Sequence, residues 1–219
     1  MLESVQVPQT VPLDQILPEE PLLMMGAGPV PISPRVAAAN SIVINHLGDT
    51  MNRVIEQVKD MGRYVFQTQS PYVMGISGPG SAAMEMAVAN LVRPGERVLC
   101  ICNGYFSRRL AEMVRRVRAE PTLLEFVDNE SADVERVAQM LQQGQYDAVT
   151  LVQGETSNTV CNKHLQQIAS LAKQYGCLVI VDAVCTFSTM PLAMDEWQVD
   201  AVITGGQKGL SSIPGVSLL

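Results

Sequence analysis

Aromatic residues are scarce in this 219-residue chain, at 5% of the total, and tryptophan occurs once. A core must therefore be assembled from aliphatic side chains, and an aromatic pair at the end of a strand-like run stands out. Cysteine is sparse as well. The five present, Cys100, Cys102, Cys161, Cys177 and Cys185, form no C-x-x-C pair and mostly lie in apolar runs. That pattern speaks against a disulfide framework, and no metal site is expected. Positive charge is in deficit, with 15 Lys and Arg against 22 Asp and Glu and a formal net charge of −7. With no long basic run, nucleic acid and anionic membrane surfaces have no electrostatic footprint here. No segment offers the roughly 18 uninterrupted apolar residues of a bilayer span, and Met1-Leu2-Glu3-Ser4-Val5-Gln6-Val7-Pro8 lacks the basic start and apolar stretch of a secretory leader. A cytoplasmic protein with reduced thiols is expected. The ending Ser217-Leu218-Leu219 departs from the peroxisomal tripeptide at its central residue.

Hydrophobic residues make up 47% of the chain, enough for a substantial core. Residues 1–22 are rich in Pro, Gln and acidic side chains and read as an extended N-terminal arm, with one large domain over 23–219. Strand-like runs fall at 72–76, 98–102, 122–126, 148–152, 178–182, 201–204 and 216–219. Helical patterns fall between them, near 82–92, 106–119, 132–143 and 162–175. Such alternation predicts an α/β fold: βαβ units in a mostly parallel, seven-stranded sheet covered by helices on both faces.

Ligands of such sheets bind beyond the carboxyl ends of the strands, where the chemically distinctive residues of this chain fall. Ser77-Gly78-Pro79-Gly80-Ser81 links a strand to a helix, and its glycines let backbone approach an anion at the helix N-terminus. Gly78-x-Gly80-x-x-Ala83 also fits a relaxed dinucleotide fingerprint, but Val98-Leu99-Cys100-Ile101-Cys102-Asn103 ends without the acidic residue that would hold a ribose. Tyr105 and Phe106 follow the second strand, where a ring could stack on a flat cofactor or simply pack in the core. Thr156 can donate a hydroxyl hydrogen bond. Asp182 ends the apolar run Cys177-Leu178-Val179-Ile180-Val181, where a lone carboxylate is costly unless a cation pairs with it. Lys208 lies in Thr204-Gly205-Gly206-Gln207-Lys208-Gly209 after another apolar run. An amine to hold an aldehyde and an upstream buried carboxylate for a ring nitrogen are the two groups that pyridoxal-phosphate chemistry requires. His46 and His164 are isolated and read as structural or exposed.

Together these segments resemble the class V aminotransferases of the pyridoxal-phosphate fold-type I group, specifically the alanine–glyoxylate and serine–pyruvate branch. The resemblance runs from about residue 23 to residue 219. It rests on Gly26-Ala27-Gly28-Pro29, Tyr64-Val65-Phe66-Gln67-Thr68, Ile76-Ser77-Gly78, Gly154-Glu155-Thr156-Ser157, Val181-Asp182-Ala183-Val184 and Gly206-Gln207-Lys208-Gly209, in that order. It implies that pyridoxal 5'-phosphate is held by Lys208 as the Schiff-base lysine and by Asp182 at the pyridine nitrogen. By the same resemblance Gly80, Ser81 and Gln207 hold the phosphate, Phe106 and Val184 lie on opposite faces of the ring, and Thr156 lies near the ring hydroxyl. Pro79 stands where related enzymes have serine, Ala27 where they have proline, and Phe106 where they commonly have tryptophan. The implied reaction is transamination between a small amino acid (alanine or serine) and a 2-oxo acid (glyoxylate or pyruvate) in a homodimer. Lys208 would carry the proton between substrate and cofactor carbons.

Family members continue well beyond the length of this chain into a small C-terminal domain that supplies the substrate-carboxylate arginine. The resemblance also makes 216–219 an antiparallel strand inside the sheet. The expectation is therefore a large domain without its small domain, and a catalytically incomplete portion needing further sequence or a partner chain is the alternative. Cysteine desulfurases share the superfamily but stack a histidine on the ring. Phe106, and the lack of a histidine beside Lys208, argue against that reading.

Overall fold

Apolar runs too short for helices become the centre of the fold. In the computed structural model, which describes residues 9–20, 22–127 and 129–219, they form a five-stranded parallel sheet. In chain order the elements are α1 (Pro34–Asn40), α2 (Asp49–Phe66), β1 (Gly75–Ser77), α3 (Gly80–Leu91), β2 (Arg97–Cys102), α4 (Tyr105–Arg116), β3 (Glu120–Glu125) and α5 (Val134–Gln143). They continue with β4 (Ala148–Val152), β5 (Gly154–Glu155), β6 (Val160–Cys161), α6 (Leu165–Gln174), β7 (Leu178–Asp182), β8 (Ala201–Ile203) and β9 (Val216–Leu218). The parallel strands lie in the order β3-β2-β4-β7-β8. Pro121, which cannot donate to a ladder, is confined to the edge strand β3.

Both faces of the sheet are buried, and strand alternation sorts the side chains between them. Leu99, Ile101, Val149, Leu151, Val179 and Val181 pack with Val137 and Leu141 of α5 and Leu165 and Ile168 of α6. Val98, Cys100, Ile180, Ala201 and Ile203 pack with Ala83, Met84 and Val88 of α3 and Leu110 and Val114 of α4. Cys100 and Cys102 are fully buried in this second layer, and burial pushes their thiols up to about 11 and about 12. They act as small apolar fillers.

All seven expected strands are present. Five make the parallel sheet; β1 and β9 form an antiparallel pair beside it. Thr204 N–H donates to the Leu218 carbonyl (2.9 Å) and Gly206 N–H to the Val216 carbonyl (2.9 Å), so β9 is bonded along both edges, as the antiparallel interior reading of 216–219 anticipates. Boundaries move for local reasons. The expected helix 106–119 stops at Arg116 because Arg118 takes a positive φ of 64° and turns the chain into β3. The expected helix 162–175 starts at Leu165, because Asn162 is buried and its amide is committed to the Val152 carbonyl, the Ala132 N–H and the Asn103 side chain. Asp133 caps α5 by accepting from Arg136 N–H at 2.8 Å.

Two helices and one hairpin go beyond the sequence reading. α1 is capped by Ser33 with Pro34 in its first turn, α2 ends in a left-handed Gln67 (φ 56°), and β5 pairs with β6. α2 meets the rest of the domain mainly through its last turn. Phe66 is buried with its ring centroid 4.5 Å from that of Phe187, whereas Tyr64 is 77% exposed. Of the expected N-terminal arm, residues 1–8 and 21 lie outside the described residues. Residues 9–20 are exposed and contain one 3-10 turn, Leu13–Gln15. Among the described residues no helix is long and apolar enough to cross a membrane.

The attachment of α2 should respond accordingly. Phe66→Ala is expected to destabilise the domain by about 3–5 kcal/mol in urea unfolding, and Tyr64→Ala by less than about 0.5 kcal/mol.

Candidate active site

The carboxyl ends of β4, β7 and β8 and the N-termini of α3 and α4 surround a cavity of about 220 Å³. All eight residues singled out in the sequence line it: Gly80, Ser81, Phe106, Thr156, Asp182, Val184, Gln207 and Lys208. Register explains the convergence. Val152, Asp182 and Ile203 are paired across β4, β7 and β8, so the residues that follow them leave the sheet at one edge.

α3 begins at Gly80, and no side chain caps it. The N–H groups of Gly80 and Ser81 therefore remain open to an anion, while Ala82 N–H donates to the Pro79 carbonyl at 2.7 Å. A Cβ on Gly80 would lie 2.7 Å from a methyl carbon of Val184, so glycine is what allows helix and ring-face residue to touch. Gln207 presents a buried Oε1 with no partner among the described residues. Turning that amide would offer its N–H₂ instead.

Asp182 is 3% exposed and accepts one hydrogen bond among the described residues, from Val184 N–H at 2.9 Å. Burial pushes its carboxyl up to about 6; the Val184 bond opposes this and the nearby Glu155 carboxylate adds to it. A cation facing Asp182 would reverse the balance. Lys208 Nζ donates to the Ala27 carbonyl at 2.7 Å. Gly28 (φ +95°) runs so close that a Cβ there would meet Lys208 Cδ at 2.6 Å. Gly26-Ala27-Gly28-Pro29 thus closes over the lysine, assisted by Val30 N–H to the Gln207 carbonyl (3.0 Å).

Sequence reasoning did not count Ala27 or Cys185 among the site residues. Ala27 acts through its carbonyl, which has no side-chain signature, and only the Gly-x-Gly-Pro spacing around it was a signal. Cys185 also lines the cavity, its Sγ 3.8 Å from Thr156 Oγ1. Tyr105 and Phe106 part company: Phe106 faces the cavity, while Tyr105 is 58% exposed in a separate groove with Arg108 and Arg109. That groove, about 620 Å³, is larger than the cavity, yet it contains none of the eight residues. A second cavity of about 380 Å³ shares Thr156, Cys185 and Lys208 with the first and extends to Gly26, Val30 and Met190. The lysine therefore stands between two compartments.

The sequence profile described as Aminotransferase class-V matches residues 35–219. The chain belongs to this family. The class V relatives include alanine–glyoxylate aminotransferase of Mus musculus, 34% identical over 214 residues that make up 97% of this chain and 51% of the relative. (S)-Ureidoglycine–glyoxylate transaminase of Bacillus subtilis is 30% identical over 195 residues, 89% of this chain and 47% of the relative. The crystal structure of alanine–glyoxylate aminotransferase from Nostoc sp. superposes with a TM-score of 0.86 at 32% identity, over 96% of this chain and 57% of that one. The chain thus spans about half the length of the curated class V relatives it matches.

Class V aminotransferases depend on pyridoxal 5'-phosphate, and the residues present fit that group. An uncapped helix start with a glycine cradle suits a phosphate, and a buried carboxylate raised by burial suits a protonated ring nitrogen. The orphaned amide of Gln207 and the amine of Lys208 complete the set.

Without a cation opposite it, Asp182 ionises near 3.8 in the unfolded chain and near 6 in the fold. Between those values the native state binds more protons, so this contribution is favourable below pH 3.8 and is lost as pH rises through 6. Asp182→Asn keeps an acceptor for Val184 and removes the charge. The cofactor-free variant is expected to exceed the parent by on the order of 1–3 kcal/mol at pH 8 and to match it near pH 4, measured by urea unfolding.

Proposed function

We propose that residues 23–219 form the cofactor-binding large domain of a pyridoxal-phosphate-dependent transaminase. The enzyme would exchange an amino group between a small amino acid, alanine or serine, and a 2-oxo acid, glyoxylate or pyruvate. One observation carries this reading: the Lys208 amine and the buried Asp182 carboxylate line the same cavity beside an uncapped helix N-terminus. The names of the mouse and Bacillus relatives support glyoxylate as the acceptor class.

Bound there, the cofactor supplies an electron sink for the substrate carbon next to the amine. The protein's own residues do the rest. Asp182, by remaining charged, would keep a proton on the ring nitrogen. The N–H groups of Gly80 and Ser81, with the Gln207 amide, would hold the phosphate, while Phe106 and Val184 would confine the ring and Thr156 would offer it a hydroxyl donor. Lys208 Nζ would be the amine that holds the cofactor and, when free, the base that moves the substrate proton. Ala27 O, now the acceptor of Lys208 Nζ, is a resting place for that amine. No arginine lines either cavity among the described residues, so a substrate carboxylate has no guanidinium partner there. We assign cofactor binding to the chain's own residues, and place the working enzyme in the cytoplasm as a homodimer.

Addition of pyridoxal phosphate should produce a visible absorbance band. Borohydride reduction should then fix a mass adduct on the peptide carrying Lys208. Lys208→Ala should lose both; a variant that keeps the band and the adduct overturns the assignment.

A further inference from the structure

Glu155 is a second buried carboxylate beside the cavity. It is fully buried at the end of β5 and, among the described residues, accepts hydrogen bonds from five groups: Phe106 N–H (3.2 Å), Ser107 N–H (2.9 Å), the Ser107 hydroxyl (3.1 Å), Ser157 N–H (3.4 Å) and the Ser157 hydroxyl (2.6 Å). The first two are first-turn donors of α4, so a carboxylate about fifty residues away in sequence shares in capping the helix, together with Ser107 Oγ, which accepts from Gly104 N–H (3.0 Å), and Ser157 Oγ, which accepts from Tyr105 N–H (2.9 Å). Gly104 is matched to it: a Cβ there would lie 2.2 Å from Glu155 Cγ. Burial alone would raise this carboxyl, but the bonds from Ser157, Ser107 and Phe106 outweigh burial and hold it below the ordinary range. It is an anion in the fold.

What makes this more than a helix cap is where its two ends lead. One partner, Phe106, and the residue after Glu155, Thr156, both line the cofactor cavity, from different elements. We propose that Glu155 is a positioning residue that locks the start of α4 to the β5–β6 hairpin, and so sets the spacing between Phe106 and Thr156 across the cofactor cavity. The inference rests on the proposed function, because that spacing matters only if a flat ring is held there. Amide bonds reinforce the same junction without crossing it at the ring: Asn158 Nδ2 donates to the Asn103 carbonyl at 2.6 Å, and Asn103 Nδ2 to Asn162 Oδ1 at 2.9 Å.

The test is Glu155→Gln, which preserves shape but turns one acceptor into a donor facing donors. Ser157→Ala, which leaves the carboxylate in place and deletes its hydroxyl bond to it together with the acceptor of Tyr105 N–H, covers the case in which the first variant does not fold. In the cofactor-free protein, amide hydrogen exchange at Phe106 and Ser107 should accelerate about tenfold or more in either variant, while exchange in β7 stays unchanged. Titration with pyridoxal phosphate should show affinity weakened about tenfold by Glu155→Gln. In a Phe106→Ala background the same substitution should cost less than about threefold, because its effect is transmitted through that ring. Parent-like affinity in both variants, or full additivity with Phe106→Ala, overturns the positioning role. If the unsubstituted protein forms no Lys208 adduct, the proposed function fails, and the inference falls with it. If the adduct forms but the coupling is absent, only the inference falls.

Discussion

The register that pairs Val152 with Asp182 and Asp182 with Ile203 is the constraint on which the site depends. Gln153 N–H bonds to the Asp182 carbonyl (2.9 Å) and Ala183 N–H to the Ile203 carbonyl (2.9 Å), so the ladder extends to the point where each strand gives way to its loop. A slip of one residue in β7 would turn Asp182 from the cavity to the opposite face and expose Val179 and Val181 to the wrong layer. The apolar side chains on both faces oppose any such slip, because each strand is buried twice over. Core packing and site geometry are here one requirement.

Within that frame two buried carboxylates are handled in opposite ways. Asp182 has a single N–H donor and is raised by burial, a state that invites a cationic partner. Glu155 is surrounded by donors and stays charged without one. The same carboxylate group is thus left nearly free of donors inside the cavity and saturated with them beside it. Glu155 also contributes to the rise at Asp182, so the two groups are linked through space.

The glycines at the site divide along similar lines. Gly80 removes a side chain so that α3 can start against Val184, and Gly28 takes a positive φ so that the N-terminal segment can cross Lys208. Both let backbone come close to a reactive or binding group, and neither requirement involves the glycine's own chemistry.

Much of this was readable from the chain alone. The runs at 98–102, 148–152 and 178–182 are apolar, short and bounded by polar loops, so β2, β4 and β7 declare themselves. The loops that follow carry the side chains of the cavity. Lys208 and Asp182 were legible because a charged residue that closes an apolar run needs a reason to be there. The remainder depends on contacts that local pattern does not encode. α2 carries its apolar residues on a largely exposed surface and is anchored chiefly by Phe66 against Phe187, far along the chain. The Ala27 carbonyl meets Lys208 across 181 residues, and Glu155 meets Ser107 across 48. Side-chain type and strand periodicity are properties of neighbours in sequence, so the sequence by itself determined the sheet and the chemical inventory of the site. Which backbone carbonyl receives the lysine, which carboxylate caps α4 and which of Tyr105 and Phe106 faces the cavity are decided by how distant segments pack. Only the tertiary structure could settle those.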